Sequence, residues 1–444
     1  MWNRLLLLKA QLLGHEGIRR YGANTAWLMG EKVLRMFMGL FVGIWVARYL
    51  GPEQFGLLSY AQSFVFLFTA IATLGLDSIV VRELVKDNSQ RNVLLGTAFT
   101  LKLIGSLCIL PLLWFGVQFT SNDSYTNLLI FIIASGTIFQ SFNVIDFYYQ
   151  SSVLSKYVAF ANTITLAILS IVKVVLILNE ASLLAFAIVG VFDTIVLSLG
   201  LIYFYWQKTH HSLREWQFDK VVAKRLLSDS WPLIFSSIVL TIQARIDQVM
   251  LKEMIGNQEV GYYSAGMRLI EAFGFIPVIL SQSLYPAIQN AKKISLSVYK
   301  SRLTNFYRLN FTAFLIIAIP IYYFAEVIVL LLYGEEFERV GGILSILAMR
   351  LFFTNMGTAR GVFIISENLL KFSMLTMFIG TIINILMNYL LIPKYNSEGA
   401  VIATIISFSI TTFIIDAMYD KTRVNLKLQI VAILTFYKFN PLKK

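Results

Sequence analysis

The 444-residue chain is too apolar for a soluble globular protein, because 57% of its residues are hydrophobic and only 14% are charged. Its net charge of +12 is dispersed along the chain, whereas a nucleic-acid-binding surface concentrates basic residues on one face among aromatic side chains. The composition therefore predicts a membrane protein whose partners include membrane lipids and no nucleic acid.

Long apolar runs recur along the chain, and a helix needs roughly 20 such residues to cross a hydrocarbon layer about 30 Å thick. The runs are too long and too continuous for the strands of a membrane barrel. They predict an all-α integral membrane protein with about 12 transmembrane helices in two six-helix lobes. The predicted helices are 25–49, 57–80, 92–117, 126–147, 157–178, 182–205, 232–254, 260–287, 309–332, 341–365, 372–392 and 398–419.

The basic residues between these helices indicate how the chain is oriented. Most of them lie in alternate connections and in both tails, and the opposite connections contain only Arg48, Lys252, Arg339 and Lys394. Because Lys and Arg accumulate in cytoplasmic loops, both termini are predicted to be cytoplasmic. The predicted divisions are a cytoplasmic N-terminal lead-in at 1–24, an N-lobe of helices 1–6 at 25–206, a cytoplasmic linker at 207–231, a C-lobe of helices 7–12 at 232–419 and a basic cytoplasmic tail at 420–444.

Two stretches of the chain carry the same glycine pattern at an offset of 205 positions. Residues 47–64 read ARYLGPEQFGLLSYAQSF, and residues 252–269 read KEMIGNQEVGYYSAGMRL. Both lie between the first and second helix of a lobe, so the lobes are predicted to form a parallel repeat. Glycine and proline permit a tight turn there, on the non-cytoplasmic side. The turn residues are Gly51, Pro52, Gly56, Gly256 and Gly261.

Basic side chains also lie inside the predicted helices, where each costs ~2.5–3.5 kcal/mol on insertion scales if it faces lipid at the membrane centre. These residues are Lys32, Arg35, Lys102, Lys173, Arg245, Arg268, Arg350 and Arg360. We expect them to face a common polar interior, although Lys102 and Lys173 are near enough to helix ends to reach the membrane surface. The predicted cationic cavity consists of Arg35, Arg245, Arg268, Arg350, Lys173 and Arg360.

Acidic residues in the same helices leave two interpretations open. Glu31 precedes Arg35 by four positions and Arg268 precedes Glu271 by three, which places each pair on one helix face. The charges either form ion pairs that lock helices together or line a wet cavity for an anionic cargo. The candidate coupling or ion-pair acids are Glu31, Asp77, Asp193, Asp247 and Glu271, whereas Asp146 and Asp416 are expected to be solvated near helix ends.

Sequence patterns of catalysis are missing from the chain. It has no D-x-D pair, no Walker A string and no H-E-x-x-H motif, and its three histidines stand at no metal-ligand spacing. We therefore expect no enzyme activity, no cofactor and no metal site.

Several motifs together resemble one transporter family. They are NTAW from Asn24, ARYLGPEQFGLLSYA from Ala47, LGLDSIVVREL from Leu74, GYYSAGMRL from Gly261 and EGAVIATIIS from Glu398. In this order they are similar to the bacterial polysaccharide-repeat flippases, the O-antigen or Wzx-like type. These belong to the polysaccharide transporter branch of the MOP flippase superfamily, which also holds drug and toxic-cation extruders and lipid II flippases.

The resemblance implies a two-lobed carrier in the bacterial inner membrane. It would move an undecaprenyl-pyrophosphate-linked oligosaccharide from the cytoplasmic to the periplasmic leaflet by alternating access, with polysaccharide polymerase and chain-length machinery as further partners. Arg35 and Arg268 best match the cationic residues that relatives use for the head group. The two glycine turns would separate as gate elements when the carrier opens outward.

Two other functions are weighed against this one. A small-cation or drug antiporter of the same fold predicts a cavity that is acidic overall. A membrane polymerase or ligase for the same sugars predicts a large periplasmic loop with catalytic residues, and the connections here are short.

Overall fold

A computed structural model describes residues 16–438, which form helices joined by short connections, with no strand in this range. Residues 1–15 of the predicted lead-in and 439–444 of the predicted tail lie outside the described residues. The α-helices are α1 (Glu16–Thr73), α2 (Asp77–Lys86), α3 (Arg91–Val117), α4 (Ser124–Phe139), α5 (Val144–Ser151), α6 (Lys156–Leu178), α7 (Leu183–Thr209), α8 (Lys220–Met254), α9 (Asn257–Glu271), α10 (Phe275–Ile294), α11 (Leu296–Tyr333), α12 (Val340–Ser366), α13 (Leu370–Ser409), α14 (Ile415–Met418) and α15 (Asp420–Leu434).

Ten helical segments within 16–438 are long and apolar enough to cross a membrane. Two of them, Gly30–Lys86 with 57 residues and Leu370–Met418 with 49 residues, would each exceed about 70 Å if straight. Each contains a residue with a non-helical backbone, Gly51 (φ 69°, ψ 169°) in α1 and Asn396 (φ 52°, ψ −132°) in α13. Dividing both segments there gives twelve spans in the described range, which confirms the predicted all-α membrane fold of about twelve helices.

The chain forms two compact units. Among the described residues, the first unit contains residues 16–46 together with Phe64–Thr241, and the second contains Ala47–Ser63 together with residues 242–438. The first glycine stretch therefore packs within the second unit, which also holds its repeat. The lobe boundaries drawn from the sequence stay a prediction.

Each unit has its own apolar core. In the first unit the core includes Leu76, Val80 and Leu94, and in the second it includes Leu303, Phe306 and Met356. The core side chains come from several helices, so each unit buries the inner faces of its helices, and the outer faces carry large exposed apolar side chains. Such a distribution suits a lipid environment.

The connection between α7 and α8 is shorter than the predicted linker at 207–231, because α8 already begins at Lys220. The reason is that Ala223 and Leu226 pack into the core of the first unit. Burial of one face favours a helix here over an irregular, solvent-exposed linker. In the remaining loop, the backbone N–H of Ser212 donates a hydrogen bond to Glu215 (2.8 Å) and lowers the pKa of that carboxyl. Partial burial, followed by the charge of Arg91, lowers the pKa of His211.

Part of the predicted basic tail at 420–444 is helical. Residues 420–434 form α15, which packs against α11 and α12. Its buried residues include Gln429 as well as Thr422 and Asn425, which donate hydrogen bonds to the backbone carbonyl and the carboxylate of Asp416 (3.0 and 3.2 Å).

Candidate functional site

A cavity of about 200 Å³ in the first unit brings together three of the predicted site residues. Arg35 of α1, Lys173 of α6 and Asp193 of α7 all line it. Further polar lining comes from Asn162, Thr165 and Ser170 of α6, which stand at spacings that place them on one side of that helix. The cavity thus combines cationic groups with amide and hydroxyl groups.

Arg35 both forms an ion pair and lines the cavity, as the two interpretations of the intramembrane charges predicted. Its Nε donates a hydrogen bond to Glu31 Oε1 (2.7 Å) at the predicted i,i+4 spacing, and the Glu31 side chain is only 7% exposed. The Arg35 side chain nevertheless remains 48% exposed and borders the cavity. A guanidinium has five N–H donors, so one pairing with Glu31 leaves donors for a ligand.

The acid partners in the second unit differ from the prediction. Glu271 Oε1 lies 3.7 Å from Arg245 Nη1, whereas no ion pair joins Arg268 to Glu271 within the described residues. Arg268 instead lies over the Phe55 ring at 5.1 Å. Sequence spacing did not give this pair because Glu271 is the last residue of α9 and its carboxylate reaches Arg245 of the neighbouring helix α8.

Arg350 of α12 has weak partners. Its Nη1 lies 3.2 Å from the Met267 sulfur, and its guanidinium lies 5.8 Å from the Phe408 ring centre. Its Nε is buried and makes no hydrogen bond with any part of the chain that the structure describes. A buried donor without a partner is costly, so this guanidinium has unused capacity for an anion.

Arg360 has a different environment from the other predicted cations. Its Nε and Nη2 donate to the two carboxylate oxygens of Asp416 at 2.9 and 2.6 Å. Asp416 is 0% exposed, so the expectation that it is solvated is wrong. The physical reason is that α15 covers the carboxylate, and Asn425 donates a further hydrogen bond to it (3.2 Å). We assign Arg360 a structural role on this basis.

Lys102 and Asp77 also form a pair. Lys102 Nζ lies 3.4 Å from Asp77 Oδ1 and 4.8 Å from the centre of the Phe147 ring. Asp77 is the first residue of α2, because the left-handed backbone of Leu74 and Gly75 ends α1 at Thr73. The predicted second span at 57–80 is therefore interrupted just before Asp77.

Asp247 of α8 is a buried carboxylate surrounded by neutral donors. Tyr263 (2.6 Å), Asn388 (2.7 Å) and Thr404 (2.8 Å) each donate a hydrogen bond to it. No Lys or Arg within 16–438 lies in ion-pair range of Asp247. The acid was predicted from the sequence but its donors were not, although Asn388 and the neighbouring Asn384, four positions apart in an apolar helix, indicate a buried polar cluster.

The repeated glycines of the two turns pack against each other in the second unit. A Cβ at Gly56 would overlap the backbone carbonyl of Asn257, and a Cβ at Gly261 would overlap that of Pro52. At the offset of 205 positions, Asn257 is the counterpart of Pro52 and Gly261 that of Gly56. The internal repeat therefore relates the two contacts, and only glycine allows the backbones to approach so closely.

Two further glycines set the bend of each turn. Gly51 and Gly256 both combine a positive φ (69° and 138°) with an extended ψ (169° and 178°). Across the contact, Asn257 Nδ2 donates a hydrogen bond to Glu53 Oε1 (3.0 Å). The glycine pattern occurs twice in the chain because each copy supplies one of the two turns that pack against each other in a symmetric contact.

Metal binding has no support in the described range. No group of three or more His, Cys, Asp or Glu residues within 16–438 is arranged to hold a metal ion.

Comparisons with known proteins agree with this architecture. The chain is 21% identical over 415 residues to a protein named putative O-antigen transporter from Shigella flexneri, covering 90% of this chain and 97% of that protein. Its fold is similar to that of the lipid II flippase MurJ in an inward closed conformation (TM-score 0.71, 14% identity, 93% of this chain and 92% of that one). It is also similar to a multidrug resistance MATE family transporter of the MOP superfamily in an inward-facing conformation (TM-score 0.66, 16% identity, 91% and 96%).

The family profile described as polysaccharide biosynthesis protein matches residues 21–292, more than half of the chain. Together with the relatives above, this match confirms the family resemblance drawn from the sequence motifs and the multi-pass membrane character of the protein. The chain belongs to the polysaccharide biosynthesis protein family.

Proposed function

We propose that the protein is a flippase for an undecaprenyl-pyrophosphate-linked oligosaccharide, the repeat unit of O-antigen or a similar surface polysaccharide. It moves this unit from the cytoplasmic to the periplasmic leaflet of the bacterial inner membrane by alternating access. Support comes from the family, from the relative named putative O-antigen transporter and from a fold similar to that of a lipid II flippase.

The physical chemistry of the cargo explains what such a carrier must provide. Moving an unpaired pyrophosphate into hydrocarbon costs tens of kcal/mol in the Born limit, whereas the polyprenyl tail stays in the lipid throughout. The protein therefore needs a polar path for the head group alone. Arginine suits this path because its guanidinium can bind phosphate oxygens through two parallel hydrogen bonds.

The observation that carries the proposal is the cavity lined by Arg35 and Lys173. Two cations suit a pyrophosphate, and the amide and hydroxyl groups of Asn162 and Ser170 suit the hydroxyls of an attached sugar. Among the lining residues the two cations outnumber the one acid, Asp193, and Arg35 keeps N–H donors beyond its pairing with Glu31, which favours an anionic cargo over the drug or small cation of an antiporter. Arg245, Arg268 and Arg350 stay predictions as further contacts for the head group.

The experiment that tests the function is removal of the gene from its host. We expect the lipid-linked repeat unit to accumulate with its sugars facing the cytoplasm, and surface glycan to disappear. A membrane-impermeant sugar-oxidising reagent applied to intact spheroplasts would report the leaflet. Normal labelling of the repeat unit from outside, with surface glycan still lost, would instead favour a role after translocation, such as the polymerase or ligase reaction.

The proposed orientation leads to a topology prediction. A reporter fused after Asn122, between α3 and α4, is expected to be periplasmic, and one fused after Arg214, between α7 and α8, is expected to be cytoplasmic. The reason is the excess of basic residues in the second connection. Alkaline phosphatase and green fluorescent protein fusions at both positions give the measurement, and the opposite pattern would contradict cytoplasmic termini.

We further propose that Asp247 is the acid that couples transport to a cation gradient. Among the candidate acids, Glu31, Asp77 and Glu271 each pair with Arg or Lys, and Asp193 shares its cavity with Lys173. Asp247 accepts only neutral hydrogen bonds among the described residues. A buried carboxylate without a counter-charge is suited to binding a proton or a sodium ion.

The substitution Asp247→Asn is expected to abolish gradient-driven transport while keeping the protein in the membrane, because the amide has the same shape. Transport of the lipid-linked unit into proteoliposomes, with an imposed proton or sodium gradient, is the measurement. Asp77→Asn is the matched control and should keep its dependence on the gradient. Equal gradient dependence of Asp247→Asn and the unsubstituted protein would remove Asp247 from coupling.

A further inference from the structure

The terminal helix α15 buries polar side chains against the protein and exposes large apolar side chains along its second half. Its buried positions include Thr422, Asn425 and Gln429, each without exposed surface. Its exposed positions include large apolar side chains, and Leu434 is 70% exposed. In water this arrangement would leave apolar groups solvated and polar groups buried, so the outer face of α15 calls for a medium other than water.

Hydrogen bonds hold α15 in place on the second unit. Asn425 accepts a hydrogen bond from the Tyr307 hydroxyl and donates one to Asp416. At the other end, Arg308 donates to Thr435 (2.7 Å), and the Phe436 ring lies 5.5 Å from Phe311. The helix is therefore docked at both ends, and the orientation of its outer face is fixed.

The same contacts show that α15 runs across α11. Asn425 and Thr435 are ten positions apart, which is about 15 Å along a helix, but they contact the neighbouring residues Tyr307 and Arg308 of α11. Because α11 is a candidate membrane span, a helix that crosses it is inclined to the membrane normal. Its 15 residues extend about 22 Å, which is too short to cross the hydrocarbon.

The outer face changes character along the helix. Lys421, Arg423 and Lys427 are exposed in the first half, where Arg423 also pairs with the exposed Asp420 (2.6 Å) and Val424 is exposed. In the second half the exposed residues are Ile430, Val431 and Leu434. Beyond the helix, Tyr437 is also exposed. Basic residues near a membrane surface bind anionic head groups, and apolar side chains on an interfacial helix insert among acyl chains.

We propose that α15 is an oblique interfacial helix that binds anionic phospholipid. Its basic first half contacts the head groups, and its apolar second half enters the acyl-chain region. The second half contacts Arg308 and Phe311, farther along α11 than Tyr307, which agrees with a deeper position. The inference does not depend on the cargo, because it concerns the lipid around the protein.

Spin labels on the full-length protein test the depth of the two halves. Leu434→Cys and Lys427→Cys, each in a Cys108→Ala background, are labelled with a nitroxide and reconstituted into phosphatidylethanolamine and phosphatidylglycerol bilayers. We expect the label at 434 to collide mainly with oxygen, which dissolves in lipid, and the label at 427 mainly with a water-soluble nickel complex. Preference for nickel at 434, or exclusion of both reagents by a second copy or a protein partner, would overturn the proposal.

A charge series tests the head-group contact. The variant Lys421→Gln/Arg423→Gln/Lys427→Gln should retain less phosphatidylglycerol relative to phosphatidylethanolamine after purification, by about fivefold for each lost charge. The control Lys421→Arg/Lys427→Arg keeps the charge and should keep the lipid. An unchanged ratio in the triple glutamine variant would overturn the head-group assignment, and the spin label at 434, which that variant can still carry, would report whether it remains docked.

Discussion

The substitution Gly56→Leu is expected to abolish export of the surface glycan. A side chain at position 56 would overlap the Asn257 carbonyl, so the two glycine turns could no longer meet. If these turns form a gate, as the family resemblance implies, the variant cannot close it and alternating access stops. Surface glycan on cells and the amount of protein in the membrane fraction are the measurements.

A cross-link reports whether the turns have separated. Cysteines at positions 53 and 257 replace the hydrogen-bonded pair Glu53 and Asn257 (3.0 Å), in a background with Cys108→Ala. A short bifunctional thiol reagent should join them and block export in the otherwise unsubstituted protein. The same reagent should join them far less often when Gly56→Leu is added. Cross-linking that leaves export intact would show that the contact is static.

The chain supplies a matched control for the added side chain. Gly190 lies inside α7 and has no atom within 4 Å of an added Cβ. Alanine in a helix interior is about 1 kcal/mol more favourable than glycine, so Gly190→Ala should keep export and stability. Gly261→Ala should fail like Gly56→Leu, because the repeat places Gly261 against the Pro52 carbonyl in the equivalent contact.

The sequence predicted those features that depend on local chemistry. Apolar length located the helices, and the glycine pattern located the turns, because a backbone with positive φ at Gly51 and Gly256 requires such residues. The i,i+4 spacing also gave the correct partner for Arg35. These inferences need no knowledge of which helices are neighbours.

The features that the sequence did not reveal depend on tertiary packing. Glu271 pairs with Arg245 of another helix rather than with Arg268 on its own. Asp416 is buried because α15 folds back over it, and no local pattern indicates that return. Similarly, the donors around Asp247 come from α9 and α13, so the environment of this carboxylate emerged only with the fold.

The substitution Arg35→Ala is expected to abolish transport at normal protein abundance. The guanidinium borders the cavity with Lys173, and a lost charge-assisted hydrogen bond costs about 1.5–3 kcal/mol, or about tenfold to a hundredfold in affinity for the pyrophosphate. Arg35→Lys should retain part of the activity, because it keeps the charge but loses the two-pronged geometry. Binding of undecaprenyl pyrophosphate to purified protein and surface glycan on cells are the measurements.

A comparison of two ion pairs separates cargo binding from structural locking. Replacing both Arg360 and Asp416 with leucine should retain transport, because apolar substitution of a whole buried pair is often tolerated. Arg360→Ala alone should reduce protein abundance, because an unpaired buried charge costs about 3–5 kcal/mol. Replacing both Glu31 and Arg35 with leucine should leave the protein abundant but inactive, because the cavity has lost a cation that the cargo requires. Recovery of transport in that double variant would show that Arg35 serves only to neutralise Glu31, and the pyrophosphate site would then have to be sought among Arg245, Arg268 and Arg350.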